Sequence, residues 1–195
     1  MTLRSDEAGW AAALLKRSGI GVMPTDTLYG LVGSAFSKKA VARIYRVRRR
    51  SLGKPFIILI ASTAELKKFG ISLGIGERGL LARLWPGKVS VVLPCRSACF
   101  KYLHRGVKSL AFRVPKDAVL RRLLTKTGPL AAPSVNPEGK KPAVNISAAK
   151  KYFGSRVDFY IGGGRRASRP STLVALNGGK LKILRKGAAP VRSLV

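Results

Sequence analysis

Acidic side chains are scarce in this sequence. Eight Asp and Glu stand against 38 Lys and Arg in 195 residues, a formal net charge of +30. That imbalance excludes a self-neutralised surface and favours polyanionic partners, with nucleotides and RNA the obvious candidates. A solvated basic face gives the same count, so charge bears on encounter rather than on fold. Histidine occurs once, at His104. A nucleophile–base pair of the hydrolase kind therefore has little to be built from. The two cysteines, Cys95 and Cys99, cannot make a disulfide framework, and with His104 they match no zinc spacing. No metal site is expected, and the thiols read as reduced and structural. The longest clean apolar runs, Phe56 to Ala61 and Trp10 to Leu15, are too short to cross a bilayer. The N-terminus has Asp6 and Glu7 ahead of Trp10 to Leu15, an amphipathic helix start rather than a signal peptide. A cytoplasmic protein without membrane contact is expected. Aromatic residues, at 7%, leave few platforms for stacking single-stranded bases.

Apolar residues make up 46% of the chain, enough for a sizeable core in one domain, expected over residues 5–190. The basic runs Arg43 to Lys54 and Arg113 to Lys126 are interleaved with Leu, Val and Ile, so they belong to a folded surface and not to a tail. Ser5 is placed to cap a first helix that Gly19 ends. Gly21 to Met23 reads as a strand, and the polar segment after it is expected to lead into a helix. Ser37 opens a helix to about Val47, followed by the basic loop 48–55. Phe56 to Ile60 is a strand buried on both faces, and Ser62 with Glu65 has capping-box spacing for the next helix. Helices over Glu77 to Trp85, Asp117 to Thr127 and Asn145 to Phe153 alternate with short strands at Val89, Leu110, Leu130, Val157, Ser171 and Lys182. The mixture predicts an α/β fold with a twisted, mostly mixed sheet flanked by helices.

The segment Pro24 to Gly30 gathers two hydroxyls, a carboxylate, a phenol and a glycine. A satisfied turn could account for them; so could a small polar ligand. Further polar clusters follow apolar strands: Arg48/Arg50/Lys54, Arg113, Ser134 to Asn136, Ser171-Thr172 and Arg185 to Gly187. Each alone fits an ordinary surface or turn residue. Together they predict a basic concave cleft at the strand ends of one sheet edge, where open α/β sheets bind ligands. Several Arg side chains there could hold phosphates.

In this order the motifs resemble the YrdC/TsaC family, the threonylcarbamoyl-AMP synthases. Pro24 to Leu31 is close to that family's PT[DE]TVYGL, and Arg48 to Arg50 to its KxR. Leu84 to Ser90 resembles LWPGPLT, and Ala111 to Pro115 resembles AVRxP. Pro133 to Gly139 is similar to the SAN-x-SG segment, and Pro170 to Val174 and Ile183 to Ala188 to PSTVV and ILRxG. The resemblance runs from about Trp10 to Ala188. It implies that L-threonine, bicarbonate and ATP, with Mg2+, give threonylcarbamoyl-AMP and pyrophosphate. A downstream threonylcarbamoyl transferase complex would then use the adenylate to modify tRNA to threonylcarbamoyladenosine. Such a reaction needs positioning and charge neutralisation more than a covalent nucleophile.

By position, the resemblance implies that Thr25, Arg113 and Ser171 hold threonine and bicarbonate, with Arg50 beside them. Arg48, Ser109, Ser134, Asn136 and Arg185 would hold ATP, and Arg48 and Arg50 would be the catalytic cations. Mg2+ would be carried mainly by phosphate oxygens and water. The departures are Arg48 for the motif's Lys, Ser51 for its Pro, Lys88 for the second Pro of WPGP and Val135 inside SAN. The motifs end close to Val195, so the short form is expected, without the extra C-terminal domain of the longer type and with a more open site. Two other readings compete. One is a binding protein for double-stranded RNA or tRNA, acting through phosphates without catalysis. It does not call for Thr25, Ser134, Asn136 and Ser171. The other is a carbamoyl-transfer module like that of hydrogenase maturation proteins, whose Cys-rich zinc segments this chain lacks.

Overall fold

The computed structural model describes residues 5–51, 53–177 and 179–190. The side chain of Ser5, and Leu52 of the basic loop, lie outside the described residues. One nine-stranded sheet organises the chain. Its strands are β1 (Ile20–Pro24), β2 (Tyr29–Ser34), β3 (Ile57–Leu59), β4 (Val89–Pro94), β5 (Ser109–Arg113), β6 (Leu130–Ala131), β7 (Phe159–Tyr160), β8 (Thr172–Asn177) and β9 (Lys180–Arg185). They lie in the order β7-β1-β2-β6-β3-β5-β4-β8-β9. The pairs β1/β7, β3/β5 and β4/β8 are parallel and the remaining five are antiparallel, so the sheet is mixed, as the sequence predicts.

The helices are α1 (Ser5–Lys16), α2 (Lys38–Arg48), α3 (Ile75–Leu84), α4 (Lys101–His104), α5 (Ala118–Thr127) and α6 (Ile146–Phe153). Side-chain caps at Ser37, Asp117 and Asn145 accept from the third following backbone N–H and fix the starts of α2, α5 and α6, as Ser, Asp and Asn do at helix N-termini. Two core layers result. Leu15 of α1 and Leu120, Leu123 and Leu124 of α5 pack with Met23, Val32 and Leu59 on one face. Val22, Leu31 and Ile58 turn to the opposite face with Ile44 of α2, Leu81 of α3 and Phe153 of α6. The period of two along each strand makes this division.

Three expectations are corrected. The polar segment does not lead into a helix. It is the turn of a hairpin, and Tyr29–Ser34 pairs antiparallel with β1. The Thr25 N–H donates to the Leu28 carbonyl at 3.0 Å, which closes the turn and returns the chain beside β1; a Cβ at Gly33 would lie 2.9 Å from Ile20 and 3.1 Å from Ile44, so that glycine serves close packing between α2 and the sheet. The first helix ends at Lys16, and the left-handed residue that follows it is Ser18, φ 64°, and not Gly19. Ser62 makes no side-chain cap. Residues Thr63–Phe69 form a 3-10 helix, and Glu65 accepts from the Ala61 N–H at 2.7 Å.

Candidate active site

A cleft of about 200 Å3 opens on the sheet, and Thr25, Arg48, Arg50, Arg113, Ser134, Ser171 and Arg185 line it together. It lies across a sheet face rather than at the strand ends of an edge. The register explains why. Ile57 sits beside Ala111, Leu59 beside Arg113, and Ser90 beside Leu173, so all share the face that carries Met23. The helices α1 and α5 cover only part of that face, and nine strands are too many for two helices. The uncovered remainder is the floor of the cleft.

Arg48 and Arg50 arrive from the end of α2. Arg49 takes a left-handed conformation, φ 48°, and its N–H donates to the Arg46 carbonyl, while the Arg50 N–H donates to that of Tyr45. The helix is thereby closed, with Arg48 in its last turn and Arg50 in the loop beyond. Arg48 is only 3% exposed. Its Nε donates to the Asn136 carbonyl at 2.8 Å, and Nη2 donates to Asn136 Oδ1 at 3.1 Å and Ser134 Oγ at 3.4 Å. Burial, and then the neighbouring Arg50 charge, lower Arg48 to about 10, which leaves it cationic at neutral pH. Arg50 donates to the carbonyls of Lys54 and Pro55 and lies 5.5 Å from the centre of the Phe56 ring. Burial lowers its pKa too. The rim is tied by Glu138, which accepts from the Ser51 N–H at 2.5 Å and Lys54 Nζ at 2.6 Å. Those bonds, Lys54 first, hold its carboxyl below the usual range.

Three guanidinium contacts on Arg48 make one expected outcome concrete. Arg48→Lys keeps the charge but presents no planar fork. Activity in this cleft should fall more than about tenfold, since more than one charge-assisted bond is lost; steady-state kinetics of the variant check it.

The hairpin turn is an oriented chain of hydroxyls. Thr25 Oγ1 donates to the Leu28 carbonyl at 2.7 Å and accepts from the Thr27 N–H. Its single proton is thus committed, so Thr27 Oγ1, 3.2 Å away, is the donor between them. Thr27 in turn accepts from Arg113 Nη1 at 3.1 Å. Arg113 Nη2 also lies 3.3 Å from Asp26 Oδ1, an ion pair with both side chains nearly sealed from solvent. Asp26 Oδ2 accepts from the Lys116 N–H at 3.0 Å. Burial lowers the Arg113 pKa, and Asp26 opposes that shift. The Nε of Arg113 is buried without a hydrogen-bond partner.

On the far wall, Ser171 Oγ is 2.8 Å from Ser90 Oγ, and the Ser171 carbonyl accepts from Arg185 Nη2 at 2.9 Å. Burial and the charge of Arg50 lower Arg185. Behind them Thr172 Oγ1 accepts from the N–H groups of Gly187 and Ala189. Gly187 passes so close to Pro170 and Thr172 that a Cβ would sit 2.2 Å from one carbonyl oxygen and 2.5 Å from the other nitrogen. Gly187→Ala should therefore cost about 1–3 kcal/mol, the range for overpacking, and raise KM by moving Ser171; denaturant unfolding and kinetics read the two effects.

Two expected residues fall elsewhere. Ser109 begins β5, four residues before Arg113, and does not line the cleft. Asn136 is buried behind the wall. Its Oδ1 accepts from Arg48 and Ser134, and its Nδ2 donates to the carbonyls of Pro137 and Lys140. Sequence reasoning missed Thr27, Ser90 and Glu138 as supporting residues. Asp26 and Thr27 were visible within the motif, but Ser90 and Glu138 act through contacts distant in sequence. His104 is structural: Nδ1 accepts from the Gly106 N–H, and Nε2 lies 3.2 Å from the Ser97 carbonyl. No group of three or more His, Cys, Asp or Glu suited to a metal ion exists among the described residues. Nor is any helix among them long and apolar enough to cross a membrane.

A family model for Sua5, YciO and YrdC proteins, described as "Telomere recombination", matches residues 13–187. The threonylcarbamoyl-AMP synthase of Thiobacillus denitrificans is 32% identical over 173 residues, covering 87% of this chain and 90% of that protein. Pyrococcus abyssi Sua5 complexed with L-threonine superposes with a TM-score of 0.90 at 27% identity, covering all of this chain and 58% of that one. This chain thus spans a little over half the length of that structural relative. Escherichia coli YciO matches with a TM-score of 0.86 at 23% identity over 98% of this chain and 94% of its own, a likeness of fold.

Proposed function

The chain belongs to the Sua5/YciO/YrdC family, and from that premise we propose that it is a threonylcarbamoyl-AMP synthase acting through one domain, residues 5–190. The observation that carries the reading is the convergence of Arg48, Arg50, Arg113 and Arg185 on one cleft, with no carboxylate among the described residues that line it. Four cations gathered at the cost of desolvation suit a polyphosphate substrate. The same lining offers no nucleophile–base pair, which fits a reaction run by positioning and electrostatics.

The amine of L-threonine adds to bicarbonate and water is lost, leaving a carbamate. A carbamate oxygen attacks the α-phosphorus of ATP, the bond to the β-phosphate oxygen breaks, and pyrophosphate leaves. Arg48, Arg50 and Arg185 neutralise the phosphates and the charge that grows on the leaving group. Arg113 and Ser171 hold the threonine and bicarbonate end, with Arg50 between the two ends. Thr25 acts by shaping the turn, because its proton is already used within it. Asn136 acts by fixing Arg48 and Ser134. Mg2+ would enter with ATP, carried by phosphate oxygens and water, since the Asp26 carboxylate beside the cleft is engaged by Arg113 and the Lys116 N–H. The product passes to a threonylcarbamoyl transferase that modifies tRNA, in the cytoplasm. The net charge of +30 favours a second role in contacting tRNA or double-stranded RNA through phosphates.

The test is product formation by the purified protein with ATP, L-threonine and bicarbonate, each omitted in turn. Adenylate and pyrophosphate that need all three support the synthase. Absence of product together with tight, salt-sensitive RNA binding overturns it in favour of the binding protein.

A further inference from the structure

Beside the cleft, on the outer side of α2, lies an open depression of about 330 Å3 lined by Ala42, Tyr45, Arg46, Arg49, Arg50 and Arg105. Four of its six lining residues are arginines, and no carboxylate is among them. The backbone sets this cluster. Arg49 and Arg105 both adopt left-handed conformations, at the ends of α2 and α4, and these turns bring the two helix ends together. Arg105 lies with its guanidinium carbon 4.2 Å from the centre of the Tyr45 ring, and its Nε is buried without a hydrogen-bond partner. Arg46 and Arg49 have no side-chain partner among the described residues. Arg50 lines both this depression and the cleft.

Like charges drawn together repel, and a multiply charged anion relieves them; the carboxylate that acts on Arg50, Glu138, is already held by Lys54 and the Ser51 N–H. The Tyr45 ring anchors Arg105 through a cation–π contact, so one guanidinium is held in place before a ligand arrives. A monovalent anion would neutralise only a fraction of four guanidiniums. A single carboxylate is likewise too small a charge. A pyrophosphate has the charge to meet several forks at once.

We propose that this depression is a second anion site, separate from the catalytic cleft and adjoining it through Arg50, that takes a pyrophosphate-sized ligand. It rests on the synthase reading only for the origin of that ligand, since pyrophosphate is the leaving group of the reaction.

Pyrophosphate itself is the probe, titrated without turnover by calorimetry and phosphorus NMR, so the result is readable whether or not adenylate forms. Wild type should bind two equivalents with distinct bound resonances. Arg46→Gln combined with Arg105→Gln should weaken one of the two by about tenfold or more, as expected for lost charge-assisted contacts, and leave the other within about twofold. Arg50→Gln should weaken both. Lys180→Gln with Lys182→Gln, exposed on β9, removes an equal number of charges and should change neither site more than about twofold. A single equivalent in wild type overturns the proposal. Equal losses in the two double variants overturn it as well, because they would show a diffuse basic field. A loss in the Arg46/Arg105 variant is counted only with an unfolding midpoint matching wild type; if it is shifted, Arg46→Lys with Arg105→Lys, which retains the charge, must recover at least half of the binding free energy, and failure to do so also overturns the site.

Discussion

Arg50→Ala should reduce adenylate formation by at least about a thousandfold while the protein stays folded. The size follows from what the side chain supplies: a preorganised cation aimed at developing phosphate charge, where loss of one donor costs about 10²–10³ even without a change in net charge. Arg50 sits between the two halves of the cleft, and its field reaches both Arg48 and Arg185. Stability should be spared because its partners are the carbonyls of Lys54 and Pro55 in a polar loop, which water can satisfy. The check pairs product formation with thermal unfolding. Full activity in a folded variant contradicts the role given to this residue.

Asp26→Asn should do the reverse and act on the fold first. Asp26 and Arg113 form an ion pair at 3.3 Å with side-chain exposures of 6% and 5%. Removing one charge leaves the other desolvated and unpaired, which costs about 3–5 kcal/mol. The Lys116 N–H can still donate to the amide oxygen, so the hairpin turn itself keeps that bond. For a domain of this size each kcal/mol lowers Tm by about 2–4 °C. Unfolding in denaturant measures the loss. A change under about 1 kcal/mol would mean that Arg113 finds water or another partner and that the pair does not fix the turn.

Much of this was legible in the sequence. Ser37 announced α2, and the helices expected over Asp117 to Thr127 and Asn145 to Phe153 begin where those side chains cap locally, on an N–H three residues away. Phe56 to Ile60 announced an interior strand by its unbroken apolar run. The hairpin was hidden because Tyr29 to Ser34 carries two glycines and is buried almost throughout, so it lacks the alternation that marks a half-exposed strand. Seven of the nine expected site residues meet in one cleft, since each belongs to a motif whose chemistry is legible in short stretches. Ser109 and Asn136 stand apart for different reasons. A strand of five residues carries its ends far apart, and that separates Ser109 from Arg113. Asn136 lies within the Ser134–Asn136 cluster, but its amide is consumed by Ser134 and the carbonyls of Pro137 and Lys140 nearby and by Arg48, 88 residues away. That the cleft spans a face and not an edge depends on how much of the sheet α1 and α5 cover, a property of the packed whole.

The most direct test of the account is the bond that the cleft is proposed to make. Purified protein would be given ATP, nitrogen-labelled L-threonine and carbon-labelled bicarbonate, and followed by NMR. The account predicts a new carbonyl carbon coupled both to the threonine nitrogen and to a phosphorus, appearing in step with pyrophosphate. ATP turned over to ADP and phosphate, or label remaining in bicarbonate while ATP is consumed, would contradict it.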